Sequence, residues 1–481
     1  MSENSVSLLT DVALPPPELP PHRTKAAVRH LTESHFIEPS SAVTISRRAL
    51  GLLLNSLNDA SHAFTQTVIG QIDSRATRLF GVSTPSPQQQ IKAVLSHRSF
   101  GRTKGMIVRD RDAMRMIDRA LSSPEREIRL YCTGFPMKVF NPIETLYQGD
   151  SVDLGDVSVL LRFAELARIL THFGKPLGKG FTVVVVSDGR MNAGMFKADP
   201  RICDSYVHKL NEMINTLGIG SWVSVGEFFS LLVDDGLRNE YLHRTQKIKA
   251  ECHTFFDPLL NPVDLEGSIS SALTQEEAHY GSSSFGDLFN STIGSVRYEG
   301  IEHLAAHYDL DFLTTYSIML ESILWGQRIE HSASWKKLAS LLPRQRRGTL
   351  LRELRRERWV TVKTAWHSTI EYFAVMEVNK ATQVFNALFP DEIRITTRPK
   401  RGQIGVHTSD QNQPSLFSYH SVPVVIPCNR GKNVKVDFQL RSTAILSRCR
   451  PLRAEGTDLV CYVHPDVPSD PLEELPWKRG G

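Results

Sequence analysis

The chain has 481 residues, 41% of them hydrophobic and 22% charged, the composition of a globular protein with room for one large catalytic domain or two to three smaller ones. A net charge of +4 is too small at this length to imply a nucleic-acid partner, and six cysteines without a C-x-x-C pair or matched spacing indicate neither a zinc site nor a disulfide framework. The longest apolar runs, Phe181 to Val186 and Val422 to Pro427, fall short of the roughly 18 residues that span a bilayer, so no membrane partner is expected.

The N-terminus lacks the basic-then-apolar order of a secretory signal and drifts into prolines at 15, 16, 17, 20 and 21. Residues 1–40 therefore read as a disordered tail, and the expected location is cytoplasmic. Residues 41–120 form a helical N-terminal subregion, because RRALGLLLNSL and RDRDAMRMIDRALSS place apolar residues three and four apart. EIRLYC (127–132) is a short strand that ends in TGFPMKVFNP, where Gly134, Pro136 and Pro142 stop any helix. DVSVLLRFAELARILTHFG (156–174) predicts an amphipathic helix, and GFTVVVVSDGR a second strand with valine on both faces. A strand apolar on both faces belongs inside a parallel sheet covered by helices.

From about 205 to 388 the pattern is mostly helical, including SYVHKLNEMINTLG, the apolar patch FGDLF and TAWHSTIEYFAVMEVNKATQVFNALF. EIRITTRP (392–399) returns to strand, and HSVPVVIP, VKVDFQLR and LVCYVHP make the last ninety residues strand-rich. The expected fold is α/β: a Rossmann-like, mostly parallel sheet over 121–465, with a helical insertion at about 205–388 and the helical N-terminal addition. Residues 466–481 read as a flexible C-terminal tail.

In open parallel sheets ligands bind beyond the carboxyl ends of the strands. The first strand is followed by Lys138 and Asn141, the second by Ser187, Asp188 and Arg190, and the third, which contains Arg394, by Arg398, Lys400 and Arg401. Cations at three strand ends suit a ligand with carboxylate or phosphate groups, since arginine grips both in a bidentate fork and lysine supplies a point charge. Taken singly, each of these residues also fits a turn or a helix cap.

Other patterns carry less. His303 and His307 are four apart on one helix, but the H-E-x-x-H order is absent. GKPLGKGF (174–181) lacks the G-K-[ST] ending of a phosphate loop, and no G-x-G-x-x-G follows the first strand, so no nicotinamide cofactor is supported. The arginine-rich stretch from Arg344 to Arg358 reads as a solvated helix face in which Glu353 and Glu357 pair with neighbours.

FPMKVFNP, VSDGRMNAGMF, FPDEIRITTRP and FSYHSVPVV resemble, in order and approximate spacing over about residues 120–430, the F-P-x-K-S-x-N-P, S-D-G-R, F-P-D-x-I-R-L-S-x-x-P and T-P-W-H-x-V-x-V segments of the pyoverdine/dityrosine biosynthesis family, the isocyanide (isonitrile) synthases. The chain departs from these patterns at Val139, Arg398, Ser418 and Tyr419, which bears on the side chain of any amino-acid substrate. The resemblance implies a cofactor-free enzyme of secondary metabolism. It would condense an amino acid with ribulose 5-phosphate and, through eliminations with loss of carbon dioxide, leave one sugar carbon as an isonitrile.

The resemblance also implies roles. Lys138 would polarise the ketone or act as base, Asp188 and His420 would carry protons, Arg190 would hold the carboxylate, and Arg398 with Lys400 the phosphate. Asn141, Ser187 and Arg394 complete the substrate-binding set. The implied partners are the two small substrates and an oxygenase acting downstream in the same pathway. The competing expectation is a non-catalytic sensor of a phosphorylated metabolite that docks a partner through its arginine-rich helix.

Overall fold

The structure, a computed structural model, describes residues 43–101, 110–135, 138, 150–196, 198–282, 284–293, 299–324, 328–389, 392–396, 403–407, 422–439, 448–456, 459–468 and 471–479. The chain enters as a short strand, β1 (Val43–Ile45), and turns into a long helix, α1 (Arg47–Phe80). Ser46 starts that helix by accepting from the Ala49 N–H at 3.2 Å, and Gly81, left-handed at φ 67°, ends it. Helices α2 (Pro87–Leu95) and α3 (Arg111–Ser122) complete the helical N-terminal region that the apolar spacing predicts.

Five strands then build an all-parallel sheet in the order β4-β3-β2-β5-β6. They are β2 (Glu127–Gly134), β3 (Gly180–Ser187), β4 (Val223–Glu227), β5 (Ile393–Thr396) and β6 (Ile404–Gly405). The run of four valines lies in β3, hydrogen-bonded on both sides. Val183 and Val185 join the core on one face of the sheet and Val186 the core on the other, so both faces must be apolar.

Helix α4 (Leu154–Gly174) connects β2 to β3 and differs from the amphipathic expectation: 18 of its 21 residues are buried. It lies between the parallel sheet and a second five-stranded sheet. That sheet, in the order β1-β9-β10-β7-β8, is made by β1 with β7 (Val422–Cys428), β8 (Asn433–Gln439), β9 (Arg450–Ala454) and β10 (Leu459–Val463). The polar residues that give α4 its amphipathic pattern face protein instead of water. Arg479 reaches back from the C-terminal residues 466–481 to donate to Glu165 Oε1, Ser158 Oγ and the Ser158 carbonyl, each at 2.8 Å. Gly174 is required where α4 turns back into β3, because a Cβ there would lie 2.7 Å from the Lys179 carbonyl oxygen.

The chain between β3 and β5 is helical as expected, apart from β4. Its helices are α5 (Ala193–Phe196), α6 (Pro200–Thr216), α7 (Phe228–Leu231), α8 (Asp235–Phe256), α9 (Leu265–Tyr280), α10 (Phe285–Ile293), α11 (Glu299–Tyr308), α12 (Phe312–Leu324), α13 (Ala333–Leu341), α14 (Arg344–Thr382) and α15 (Val384–Leu388). Most of this segment has its own core around Phe256, Phe285, Trp366 and Phe373, all fully buried, with the Trp366 indole N–H donating to the Phe256 carbonyl at 3.2 Å. The FGDLF patch supplies Phe285 and Phe289 to it from α10. Through a smaller apolar cluster that includes Tyr131, Val186, Phe228, Tyr241 and Val378, α8 and α14 cover the sheet face opposite α4. No helix among the described residues is long and apolar enough to cross a membrane.

Candidate functional site

Strand register sets the site. Gly134 of β2 lies level with Ser187 of β3, and Ser187 level with Glu227 of β4. The residues after these three leave the sheet at one rim, the rim at which parallel sheets hold ligands. There, a cavity of about 510 Å³ opens among the loop after β3, α7, α8 and α14. Arg190 and Met191 line it from the loop, Ser230 from α7, and Arg238, Tyr241 and Lys249 from α8. Three cations stand on its walls, each with a carboxylate near it: Asp204 by Arg190, Asp235 by Arg238 and Glu371 by Lys249.

Asp188 lies at the base of the loop after β3. The residue is only half-buried, yet its Oδ1 is enclosed and has no hydrogen-bond partner among the described residues. Burial therefore pushes its carboxyl up from 3.8 to about 6, against the opposing effect of a backbone hydrogen bond. Its charge is felt by Tyr241, whose hydroxyl is raised by burial first and by Asp188 second. A carboxyl that changes charge close to neutral pH at a strand end is suited to carry a proton in either direction.

Ser187, fully buried, donates its hydroxyl hydrogen to the Phe135 carbonyl at 2.9 Å. It thereby ties the end of β3 to the residue after β2, where Phe135 is held at φ 53°, a left-handed conformation uncommon for a bulky side chain. Its hydroxyl serves the loop and is directed at protein, not at the cavity. Glu227 is 5% exposed. Its Oε2 accepts from the Ser230 N–H at 3.1 Å and caps α7, while its Oε1 is buried without a hydrogen bond among the described residues. Burial raises its carboxyl; the hydrogen bond to Ser230 and the charge of Arg190 act in the other direction. Asn192, also buried, lies in the loop after β3, and its Oδ1 has no hydrogen-bond partner among the described residues.

Lys138 is 1% exposed and ion-paired to Asp153 Oδ2 at 3.1 Å and Asp156 Oδ2 at 2.9 Å. The two aspartates form the capping box of α4, and Asp156 also accepts from the Tyr206 hydroxyl at 2.7 Å. Burial alone would lower the lysine, but the two carboxylates and their hydrogen bonds outweigh it and raise it. An ammonium so held keeps its proton. Of the two roles expected of Lys138, polarising the ketone and acting as base, the second asks for a proton that this geometry holds in place.

Arg190 has 42% of its side chain exposed, with Nε 3.7 Å from Asp204 Oδ1. Arg394 sits in register with Tyr131 on the sheet face covered by the insertion, its guanidinium 5.7 Å from the Phe385 ring. Asn141, Arg398, Lys400 and His420 lie outside the described residues.

Four residues at this rim were not singled out from the sequence: Glu227, Arg238, Lys249 and Glu371, which pairs with Lys249. The alternation in Trp222-Val223-Ser224-Val225 was a signal for β4 and hence for Glu227. The other three stand on long helices whose periodicity says nothing about a distant strand end. His303 and His307 stand ring to ring, 6.2 Å apart on α11. Among the described residues no group of three or more histidine, cysteine, aspartate or glutamate side chains could hold a metal ion.

Comparison with protein-family models and with curated proteins finds no match. Among solved structures, the chain is similar to the crystal structure of the PvcA protein from Pseudomonas aeruginosa, with 15% sequence identity over 79% of this chain and 100% of that one and a TM-score of 0.42.

Proposed function

We propose that the protein is an isonitrile synthase-like enzyme, which converts the amino group of an amino acid to an isonitrile with a carbon taken from ribulose 5-phosphate. The observation that carries the reading is Asp188, a carboxyl with one buried oxygen that has no hydrogen-bond partner among the described residues and a pKa of about 6, on the loop that also lines a cation-walled cavity. The resemblance of four sequence segments to the isonitrile synthases supplies the reaction.

The chemistry makes two demands on the site. Two anionic reactants must be held together, and protons must move as amine and ketone condense and the sugar fragments. Arg190, on the cavity wall, receives the amino-acid carboxylate, and Asp188 accepts and returns the proton. Lys138, clamped by Asp153 and Asp156, anchors its own position after β2 to the start of α4. The reading keeps Arg398 and Lys400 as holders of the phosphate and His420 as the second proton carrier.

The test is incubation of the purified protein with ribulose 5-phosphate and each amino acid in turn, aromatic ones first, with products followed by mass and by the isonitrile stretch in the infrared. One amino acid should give a product that keeps its nitrogen and gains one carbon, and omission of the sugar phosphate should stop it. Binding of the sugar phosphate without turnover of any amino acid would overturn the enzymatic reading in favour of a sensor.

A further inference from the structure

A chain of charged side chains runs from the cavity to the surface between α8 and α14. Lys249, on the cavity wall, pairs with Glu371 Oε2. The other oxygen of that carboxylate, Oε1, lies 3.2 Å from His253 Nε2, and His253 Nδ1 lies 3.1 Å from Asp257 Oδ2. His367 Nε2 is 3.4 Å from the remaining oxygen of Asp257, and its ring is 5.6 Å from that of His253. Each member is between a fifth and a little under half exposed, so the chain joins the cavity to solvent.

The loop after β3 leaves room for this chain. A Cβ on Gly194 would lie 2.6 Å from Glu371 Oε2 and 3.5 Å from Lys249 Nζ. The S-D-G-R segment and its following small residues therefore fit against the ion pair as well as forming the cavity wall.

We propose that Lys249 receives the oxyanion of the ligand in this cavity, and that Glu371 and His253 control how strongly it does so. Both ring nitrogens of His253 face carboxylate oxygens, an arrangement that a neutral imidazole, with one N–H, satisfies on one side only. With His253 neutral, Lys249, Glu371, His253 and Asp257 sum to one negative charge; with His253 protonated they sum to zero, and Glu371 gains a second cationic partner. Lys249 is then freer to turn to an incoming anion. Protonation of His253 therefore raises the affinity for an anion, and acidification favours it.

This inference rests on the cavity's being the ligand site proposed above, and binding is measured separately from turnover. Isothermal calorimetry of the full-length protein with ribulose 5-phosphate, with ribulose, and with L-tyrosine and L-tryptophan gives dissociation constants at pH 6 and pH 8. Lys249→Met should weaken the anionic ligand about ten- to a hundredfold while leaving ribulose unaffected, and Lys249→Arg should restore part of the loss. Glu371→Gln should tighten binding at pH 8 about fivefold. His253→Gln should remove the extra tightening that the wild type shows at pH 6, the ligand's own titration being common to both proteins.

A loss confined to ribulose 5-phosphate identifies the oxyanion as phosphate, and one confined to the amino acids identifies it as carboxylate. Unchanged binding by a Lys249→Met protein of wild-type melting temperature overturns the proposal, as does a wild type that binds none of these ligands. Weakening by Glu371→Gln, or an unaltered pH response in His253→Gln, overturns the control by that pair. Binding without turnover would leave the inference standing and defeat the synthase reading; turnover that ignores Lys249→Met would do the reverse.

Discussion

Replacing Asp188 with asparagine should make the protein more stable and less active. The carboxyl titrates at about 6 in the fold against 3.8 in the unfolded chain because burial disfavours its charged form. Between those values the folded state binds more protons than the unfolded one. The stability tied to this group is therefore complete below about pH 4, lost as pH rises toward 6, and absent above it. At about 1.4 kcal/mol per pH unit, the displacement is worth about 3 kcal/mol; because the residue is half-buried, water trims this to about 2 kcal/mol. Asparagine keeps the shape and carries no charge. Urea unfolding followed by tryptophan fluorescence should find Asp188→Asn about 2 kcal/mol more stable than the wild type at pH 7.5 and within about 0.5 kcal/mol of it at pH 4. Turnover should be lost in the same protein, the trade expected of a group kept for function. A pH-independent difference, or a variant less stable at pH 7.5, would refute the assignment of Asp188 as an acid whose charged form burial disfavours.

Lys138→Met leaves Asp153 and Asp156 buried without their cation and should cost about 3–5 kcal/mol in urea unfolding, with part of the loss recovered when Asp156→Asn is added. Because the fold raises this lysine above its ordinary 10.5, its contribution is full below that pH and disappears as pH climbs through the higher folded value. A Lys138→Met protein as stable as the wild type at pH 7 would refute the buried triad. Ser187→Ala removes the hydroxyl that donates to the Phe135 carbonyl and should cost about 1–3 kcal/mol, read as a lowered urea midpoint with unchanged slope; a midpoint equal to the wild type's would show that the bond is not needed to hold the two strand ends.

Much of the parallel sheet was legible in the sequence. β2, β3 and β5 announce themselves as apolar runs broken by glycine, proline or charge, and the four valines of β3 report burial on both faces, a property that a strand carries in its own residues. The rim residues Ser187, Asp188 and Arg190 were legible for the same reason, since the end of a strand is marked where its apolar run stops. What the sequence could not decide is what stands opposite. The polar stripe of α4 reads as a solvent face, yet Arg479, more than three hundred residues away, and a second sheet cover it. Ser187 looks like a ligand contact and is bound to Phe135; Lys138 looks like a free base and is held between two aspartates. Lys249 and Glu371 look like ordinary helix-surface charges and meet at the cavity because α8 and α14 pack side by side across the sheet. Periodicity records how a residue sits on its own element, because backbone geometry repeats locally. Which partner meets its side chain depends on how distant elements pack, and only the tertiary structure decides whether a charge is free for a ligand or already paired.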